Sequence, residues 1–449
     1  MFEGEIWAIP IICISICVAW LSVTLSRWAN GKYLRPTISN WFMWWLYIYI
    51  YIGTTYLMVV RDSYEEAVGL FAYPEAIMGA WGFALSGIVL IPLGMNIANY
   101  FWDIKPNDVW RKFVNSPQKI MPRYLPISFH VIFCLLSVIT VLVTFLYYQQ
   151  IDIPIMGVFS GVETKMLAML RSDATNNFDG KYYAYNLFKG SLLTALVLIS
   201  FFLRHRGFYR YLFFGLLILR TFTCLAEIQK GPIVQLIILL LLAWYFEKYK
   251  INKMVLFIIG MIIVGVIITM YVFFMGADVS DNELFFTTIC GILRRVFVGQ
   301  SVGVEWSIVY VDRFGFLDGA SMPNPAGILP FTYVRYSVVL MEMVNPQLLE
   351  LGIVGSMPTV FWGEIYANFG MFMALISMVV VGALLRTMDI YFQTYSSSNK
   401  ILNLALYVFM INAFQKYVGT SILGVFIDIN IWVIVFVFTV LSYSCRVRR

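Results

Sequence analysis

MVLFIIGMIIVGVIITMYVFFMG, residues 254–276, is a run of 23 residues without one charged side chain. An α-helix rises about 1.5 Å per residue, so about 20 apolar residues cross the hydrocarbon core of a bilayer, which is about 30 Å thick. The run therefore predicts a membrane-spanning helix. Runs of comparable length recur along most of the 449 residues.

The composition of the whole chain agrees with that first span. Hydrophobic residues make up 61% of the sequence and charged residues 12%, which is far from the usage of soluble globular proteins. A water-soluble fold would not cover so much apolar surface. We therefore predict an all-α fold, a polytopic transmembrane helical bundle that forms a single domain over residues 1–449.

Eleven runs have the length of a span. The first has acidic residues where a cleaved signal peptide has a basic region, so we expect it to be retained. Two connections are too long to be simple links, and we predict large loops at residues 149–185 and 276–361. The spans are predicted at residues 6–26, 41–60, 77–100, 125–148, 187–203, 209–226, 232–246, 254–276, 365–385, 401–415 and 425–444.

The connections between these runs alternate in charge. One alternate set, which includes the stretch from Arg386 to Lys400, holds 19 of the 31 Lys and Arg residues but only four of the 25 Asp and Glu residues. Basic loops stay in the cytoplasm. The pattern predicts a cytoplasmic C-terminus, an outside N-terminus and both large loops outside, and an odd number of spans agrees with termini on opposite sides.

The second large loop is expected to contain short helices at the membrane surface. Its segment LFFTTICGILRRVFVGQ carries apolar side chains around the adjacent Arg294 and Arg295, a pattern typical of an interfacial helix. Five prolines then divide the rest of the loop into short segments. We expect a folded cap over the bundle.

Several chemistries are excluded by the residues present. The two histidines, His130 and His205, are expected on the cytoplasmic side, which excludes a histidine-dependent Ser or Cys triad outside. There is no Gly-rich phosphate loop, and the six cysteines form neither a CxxC pair nor a metal-ligand spacing. We expect no metal and no cofactor. The net charge of +6 is spread over short loops, so no nucleic acid is expected as a partner.

Basic residues near the outer face are the first candidates for a site, because guanidinium groups bind phosphate oxygens through paired hydrogen bonds. The alternative for each is a base that only anchors a helix at the interface. Arg220 interrupts a predicted span, where an ionised side chain costs about 3 kcal/mol or more unless it is paired or faces water. Glu227 and Lys230 are its expected partners, and a structural ion pair or a ligand-binding role both remain open. The set is Arg171, Arg220, Lys230, Arg294, Arg295, Arg313, Arg335 and Lys416.

Glu364 and Asn368 form the other candidate group. They lie four residues apart in a segment that starts at Pro358 and is expected to run as a helix without a break into the ninth span, so both side chains share one face. A carboxylate at the mouth of a bundle is either a general base or the counter-charge of a nearby arginine.

Three stretches resemble the bacterial O-antigen polymerases, the Wzy-type oligosaccharide repeat-unit polymerases. They are AEIQKGPIVQLIILLLLAWYF at 226–246, LRRVFVGQSVGVEW at 293–306 and LGIVGSMPTVFWGEIYANFGMFMALISMVVVG at 351–382. The third, with its Pro, Glu, Asn and Phe-Gly, is the most specific. The number of spans and the large outer loops extend the resemblance over the chain.

The resemblance implies a GT-C-like, metal-independent membrane glycosyltransferase in the bacterial inner membrane, with its large loops in the periplasm. Its substrate would be an undecaprenyl-diphosphate-linked glycan in the membrane lipid, and a chain-length regulator and a flippase of the same pathway would be its partners. Carried over to this sequence, the resemblance implies catalytic roles for Glu364, Arg294 and Arg295. It implies glycan or diphosphate binding for Arg220, Lys230 and Arg335. Tyr336, an aromatic ring of the outer loop that can stack on a sugar, and Asn368 are predicted to bind the substrate as well.

Three other functions compete with polymerisation. O-antigen ligases commonly use a periplasmic histidine, which this chain lacks. A transporter or flippase of lipid-linked oligosaccharide needs cationic residues along a cavity through the bilayer, whereas here the charges concentrate at one face. A membrane scaffold in a polysaccharide assembly complex is the third alternative.

We expect Asn282 or Asn324, each changed to Cys in a cysteine-free background, to react with a membrane-impermeant maleimide in cells with an opened outer membrane. The charge bias places both positions outside the inner membrane. His205→Cys, in a basic loop, is the matched control and should react only after the inner membrane is permeabilised. The opposite pattern at the three positions would reverse the topology.

Overall fold

The computed structural model describes most of the chain. The described residues are 7–60, 69–115, 125–162, 164–175, 178, 181–249, 253–275, 282–324, 327–347, 355–394, 400–420 and 428–445. Over these ranges the regular structure is helical throughout, without a strand. The all-α prediction is therefore confirmed for this part of the protein.

The helices follow one another with short connections, apart from the two long ones. In chain order they are α1 Ala8–Asn30, α2 Ile38–Val59, α3 Pro74–Phe101, α4 Pro106–Asn115, α5 Ile127–Tyr148, α6 Pro154–Phe159, α7 Thr164–Thr175, α8 Tyr182–Leu203, α9 Gly207–Ala226, α10 Lys230–Lys248, α11 Lys253–Met275, α12 Asn282–Phe297, α13 Val302–Phe314, α14 Tyr336–Val344, α15 Val360–Thr394, α16 Lys400–Gln415 and α17 Ile429–Ser444.

Within the described residues, nine helices are long and apolar enough to cross a membrane, which confirms a multi-pass helical fold. These nine coincide with nine of the eleven predicted runs. The other two runs are helical as well, in the 23-residue α11 and the 16-residue α17. The number of eleven spans stays a prediction.

The chain forms two compact units, both built from candidate spans. The first unit consists of Met1–Phe113, Cys290–Thr394 and Ala413–Ile427. The second consists of Val114–Ile289, Tyr395–Asn412 and Asp428–Arg449. Within the two predicted large loops lie four short helices of six to 13 residues, α6, α7, α13 and α14.

In the first unit, α3 and α15 touch backbone to backbone. A methyl group added at Gly382 would overlap the carbonyl oxygen of Ile91, and one added at Gly94 would overlap that of Val379. Helices inside a membrane gain little from hydrophobic burial against each other, so they associate where small residues permit such close packing. This pair of glycines fixes α15 against α3.

A buried polar network holds the far end of α15. The Arg386 guanidinium donates from Nε to Asn99 Oδ1 at 2.8 Å and from Nη1 to Asn30 Oδ1 at 3.1 Å. Asp389 accepts from the backbone N–H groups of Ile38 and Ser39 at 2.8 and 3.0 Å, and so caps the N-terminus of α2. Helices α1, α2 and α3 are thereby tied to α15.

This network corrects one prediction. The loop expected from Arg386 to Lys400 is helical as far as Thr394, and Arg386 and Asp389 are buried. A prediction from the length of an apolar run ends the span at the first charged residue. Here the charged groups are accommodated inside the unit because asparagine side chains and helix-terminal N–H groups satisfy them.

A second prediction is wrong at Gly370. The helix expected to run unbroken from Pro358 into the ninth span is interrupted there, with backbone angles φ 78° and ψ −177°. Glycine has no Cβ and adopts a positive φ without steric cost. A single glycine in an apolar helical pattern is not enough to predict a break in the helix. The first ten residues of α15, 360–369, form a segment of their own before the longer 371–394 segment.

Candidate functional site

The short segment of α15 lies in the hydrophobic cluster that anchors the second long connection. Ala367 of that segment is buried together with residues of α13, α14 and the turn before α13. The backbone N–H of Leu317 also donates to the Ala367 carbonyl at 2.9 Å. The remaining members of the cluster are Leu57, Leu70, Ala76, Ile77, Val298, Val302, Trp306, Val309, Tyr336, Leu340 and Met357. The connection is therefore folded directly onto the segment that carries Glu364 and Asn368.

Glu364, Ser321 and Asn368 form one chain of hydrogen bonds. The Ser321 hydroxyl donates to Glu364 Oε1 at 2.7 Å, and Asn368 Nδ2 donates to Ser321 Oγ at 2.8 Å. Asn368 Nδ2 also donates to the Glu364 carbonyl oxygen at 2.7 Å, one helical turn back. The prediction that Glu364 and Asn368 share a face is thus confirmed. Ser321 was missed by the sequence analysis because it comes from a loop 43 residues away.

The direction of this chain follows from the groups themselves. An amide nitrogen only donates, and an ionised carboxylate only accepts. The single hydroxyl proton of Ser321 therefore goes to Glu364, while its oxygen accepts from Asn368. Because two acceptors face the nitrogen of Asn368, the orientation of the amide is fixed as well. Its oxygen, Oδ1, points elsewhere.

These three hydrogen-bonded side chains are shielded from solvent, and one of their acceptor atoms has no donor among the described residues. Glu364 is 7% exposed and Asn368 2% exposed. Among the described residues no group donates a hydrogen bond to Asn368 Oδ1, which is itself buried. Buried polar atoms are nearly always hydrogen-bonded, so such an oxygen calls for a donor from a ligand or from water.

Two exposed aromatic rings flank the same place. Phe316 is 51% exposed and Phe369 is 41% exposed. A side-chain atom at Gly370 would lie 3.6 Å from the Phe316 ring, and one at Gly319 would lie 3.6 Å from the Phe369 ring. The rings therefore stand beside the break in α15 and beside the loop that delivers Ser321. They offer apolar faces next to the buried polar chain.

Arg335 and Tyr336 begin α14 next to this site. The N–H of Val334 donates to the carbonyl of Ala320 at 2.8 Å, which holds Arg335 close to the Ser321 loop, and the Arg335 side chain is exposed. Tyr336 is buried, and its ring packs edge-on against Tyr310 with centroids 5.3 Å apart. Burial raises the pKa of the Tyr336 hydroxyl, so it stays protonated. A sugar-stacking role for this ring remains a prediction.

Arg294 and Arg295 lie in the last turn of α12, as predicted, and both are exposed. The Arg294 carbonyl accepts from the N–H of Val298, a member of the cluster that contains Ala367. The arginines are therefore joined through one helical turn to the cluster that supports Glu364. A helix C-terminus also favours positive charge, which is the plainer account of their position.

Arg220 and Lys230 belong to the second unit. The predicted pairing of Arg220 with Glu227 is wrong. Arg220 Nη1 donates to the Lys189 carbonyl at 3.1 Å and to Thr223 Oγ1 at 3.0 Å. Glu227 pairs instead with the Lys189 ammonium. Lys230 begins α10, and its side chain lies outside the described part of the structure.

Lys189 is the residue that sequence reasoning missed in this unit. It is 3% exposed, and its Nζ lies 3.8 Å from the centre of the Tyr147 ring and 5.0 Å from that of Tyr182. Residues Leu187–Leu192 form a π-helical turn within α8. Such a wide turn disturbs the regular hydrogen bonding of a helix, and Arg220 supplies a donor to one of its carbonyls. No sequence pattern marks a π-helical turn.

No protein-family model, curated protein or solved structure matches this chain. Within the described residues, no group of three or more His, Cys, Asp or Glu side chains is arranged to hold a metal ion.

We expect Lys189→Met and Glu227→Leu each to lower the melting temperature of the purified protein markedly, because each leaves one buried charge unpaired, a loss of about 3–5 kcal/mol. The double variant should recover much of this loss, since it removes both charges. The control is Asp108→Asn, which breaks an exposed pair with Arg111 and should have little effect. Additive losses in the double variant would show that the two residues do not stabilise each other.

Proposed function

We propose that this chain is a metal-independent glycosyltransferase that polymerises undecaprenyl-diphosphate-linked oligosaccharide repeat units into O-antigen or a related surface polysaccharide. The observation that carries the proposal is the hydrogen-bonded chain of Glu364, Ser321 and Asn368, which lies close to the break in α15 that Phe316 and Phe369 flank. Carboxylate and amide groups near apolar rings suit a sugar, which has hydroxyls at its rim and apolar C–H faces. The sequence resemblance and the multi-pass helical fold support the same function.

The reaction is a displacement at the anomeric carbon of one lipid-linked glycan. A hydroxyl oxygen of the acceptor sugar forms the new glycosidic bond, and the bond from the anomeric carbon to the diphosphate oxygen breaks. In the proposal Glu364 orients the acceptor hydroxyl and takes its proton, and Ser321 and Asn368 hold the carboxylate in place. Undecaprenyl diphosphate leaves with the bonding electron pair.

The departing diphosphate gains negative charge, and stabilising that charge is the larger electrostatic demand of the reaction. Arg294 and Arg295 are proposed for this role, with Arg335 beside the Ser321 loop as a further contact. Guanidinium groups suit it because they keep their charge and donate paired hydrogen bonds to phosphate oxygens. Arg220 belongs to the second unit, where it donates to two protein oxygens, and its role in binding substrate stays a prediction.

The proposed setting is the periplasmic face of the bacterial inner membrane, with the N-terminus in the periplasm and the C-terminus in the cytoplasm. The charge bias of the loops supports this orientation. A flippase would deliver the lipid-linked repeat units to this face, and a chain-length regulator would act on the product. Both are proposed partners of the chain.

A flippase for the same lipid-linked glycan is the second candidate. The observation in its favour is the Lys189–Glu227 pair, which lies in or next to candidate spans, where ionisable residues commonly mark transport pathways. A flippase forms no glycosidic bond. Product formation by the purified protein therefore separates the two functions.

We expect purified protein incubated with a lipid-linked repeat unit to produce a ladder of longer glycans on a gel. Glu364→Gln should reduce the rate by about 10²- to 10⁴-fold, as is usual when a general base is lost, while the melting temperature stays close to that of the wild type. Glu342→Gln in α14 is the control. A large loss of stability with little loss of rate would make Glu364 a structural counter-charge, and no ladder from the wild type would reject the function.

We expect the Arg294→Ala, Arg295→Ala double variant to lose polymer formation far more completely than Arg313→Ala. Arg313 is an exposed arginine of the same unit, and its guanidinium donates to the Tyr73 hydroxyl, so it controls for loss of surface charge. Replacement of the pair by lysine should restore little activity if paired contacts to phosphate matter. Normal ladders from the double variant at matched expression would remove both arginines from the site.

A further inference from the structure

We infer that the site formed by Glu364 and Asn368 selects a neutral or amino-substituted sugar and rejects a uronic acid. The inference rests on the proposed function, because it names the class of sugar that the proposed site accepts. It comes from the direction of the hydrogen bonds in the cluster. The identity of individual residues alone does not give it.

The donors inside the cluster are already used. The Ser321 proton goes to Glu364 Oε1, and Asn368 Nδ2 donates to Ser321 Oγ and to the Glu364 carbonyl oxygen. What the cluster presents to a ligand is the acceptor capacity of Asn368 Oδ1. A complementary ligand must therefore supply hydrogen-bond donors.

Asn368 Oδ1 is the atom that determines which class of sugar fits the site. It is buried, it has no donor among the described residues, and its orientation is fixed by the two acceptors that face the amide nitrogen. A sugar hydroxyl, an N-acetyl N–H or an ammonium group satisfies this oxygen. A carboxylate group does not, because when ionised it only accepts.

Electrostatics favour the same class of sugar. A uronic acid at this position would bring its ionised carboxylate next to the buried Asn368 Oδ1, which offers it no donor, in a place where little water is present to solvate the charge. Phe316 and Phe369 add apolar contact to the ring of the sugar and no charge. Arg335 is exposed at the edge of the site and is the group that would work against the selection. The test therefore includes it.

The experiment measures binding of free methyl glycosides to the full-length protein in detergent by saturation-transfer difference NMR. The probes are the methyl glycosides of glucose, glucosamine and glucuronic acid, together with the three galacto counterparts. In at least one series, we expect the neutral and amino sugars to bind at least about tenfold more tightly than the uronide, the size expected for hydrogen bonds to a charged group. Arg335→Gln removes a positive charge that attracts a carboxylate, so it should increase this ratio, and a fall in the ratio would count against the inference.

The variants test Asn368 itself. Asn368→Leu, which keeps the shape of the side chain, should weaken binding of the neutral sugar at least about tenfold. Asn96→Leu is the matched control. The Asn96 amide, like that of Asn368, donates two hydrogen bonds within the first unit, and both of its acceptors are backbone carbonyls. If Asn368→Leu does not fold, Asn368→Asp replaces it. That change should strengthen binding of the amino sugar relative to the neutral one.

Three results would overturn the inference: equal binding of the uronide and the neutral sugar by the wild type, unchanged binding by the Asn368 variant that folds, or no binding of any probe by the wild type. The last result would mean that water satisfies Asn368 Oδ1. The ladder assay on the same preparation keeps the two proposals apart. Selective sugar binding without a ladder rejects polymerisation alone, whereas a ladder without selectivity rejects the sugar class alone.

Discussion

The cost of placing a charge where water is scarce governs this structure. An ionised side chain within a span costs about 3 kcal/mol or more unless another group compensates it. Lys189 with Glu227 in the second unit, and Arg386 with its asparagines in the first, show how that cost is met. The partners come from helices distant in the chain, so each compensated charge also fixes how those helices pack.

The same constraint shapes the candidate site. Glu364 is a nearly buried carboxylate that accepts from the Ser321 hydroxyl, and the Asn368 amide donates to that hydroxyl and to the backbone carbonyl of Glu364. This loop reaches Glu364 because the hydrophobic cluster around Ala367 folds the second long connection onto the short segment of α15. A polar chain of this kind is rigid only while every member is satisfied. The oxygen of Asn368 is the member without a donor among the described residues.

The architecture was predictable from sequence to the extent that length and hydropathy determine it. Each of the eleven predicted runs coincides with a helix in the part of the chain that the structure describes, and the i, i+4 relation of Glu364 and Asn368 was found from spacing alone. Ser321 and Lys189 were missed because their partners are far away in sequence, and pairing at such distances leaves no periodic signal. Arg386 was assigned to a loop because a single charge does not reveal whether its partners lie in the interior or in water.

The break at Gly370 has a consequence for how α15 tolerates change. In a continuous α-helix, one inserted or deleted residue rotates everything beyond it by about 100°. The long segment of α15 is held by Gly382 against α3 and by Arg386, while the short segment is held by the loop through Ala367. Gly370, with its positive φ, lies between the two segments. A rotation of the long segment about its axis therefore need not rotate Glu364 in the short segment. We therefore expect sequence changes in the long segment, which belongs to a candidate span, to leave the Glu364 carboxylate facing Ser321.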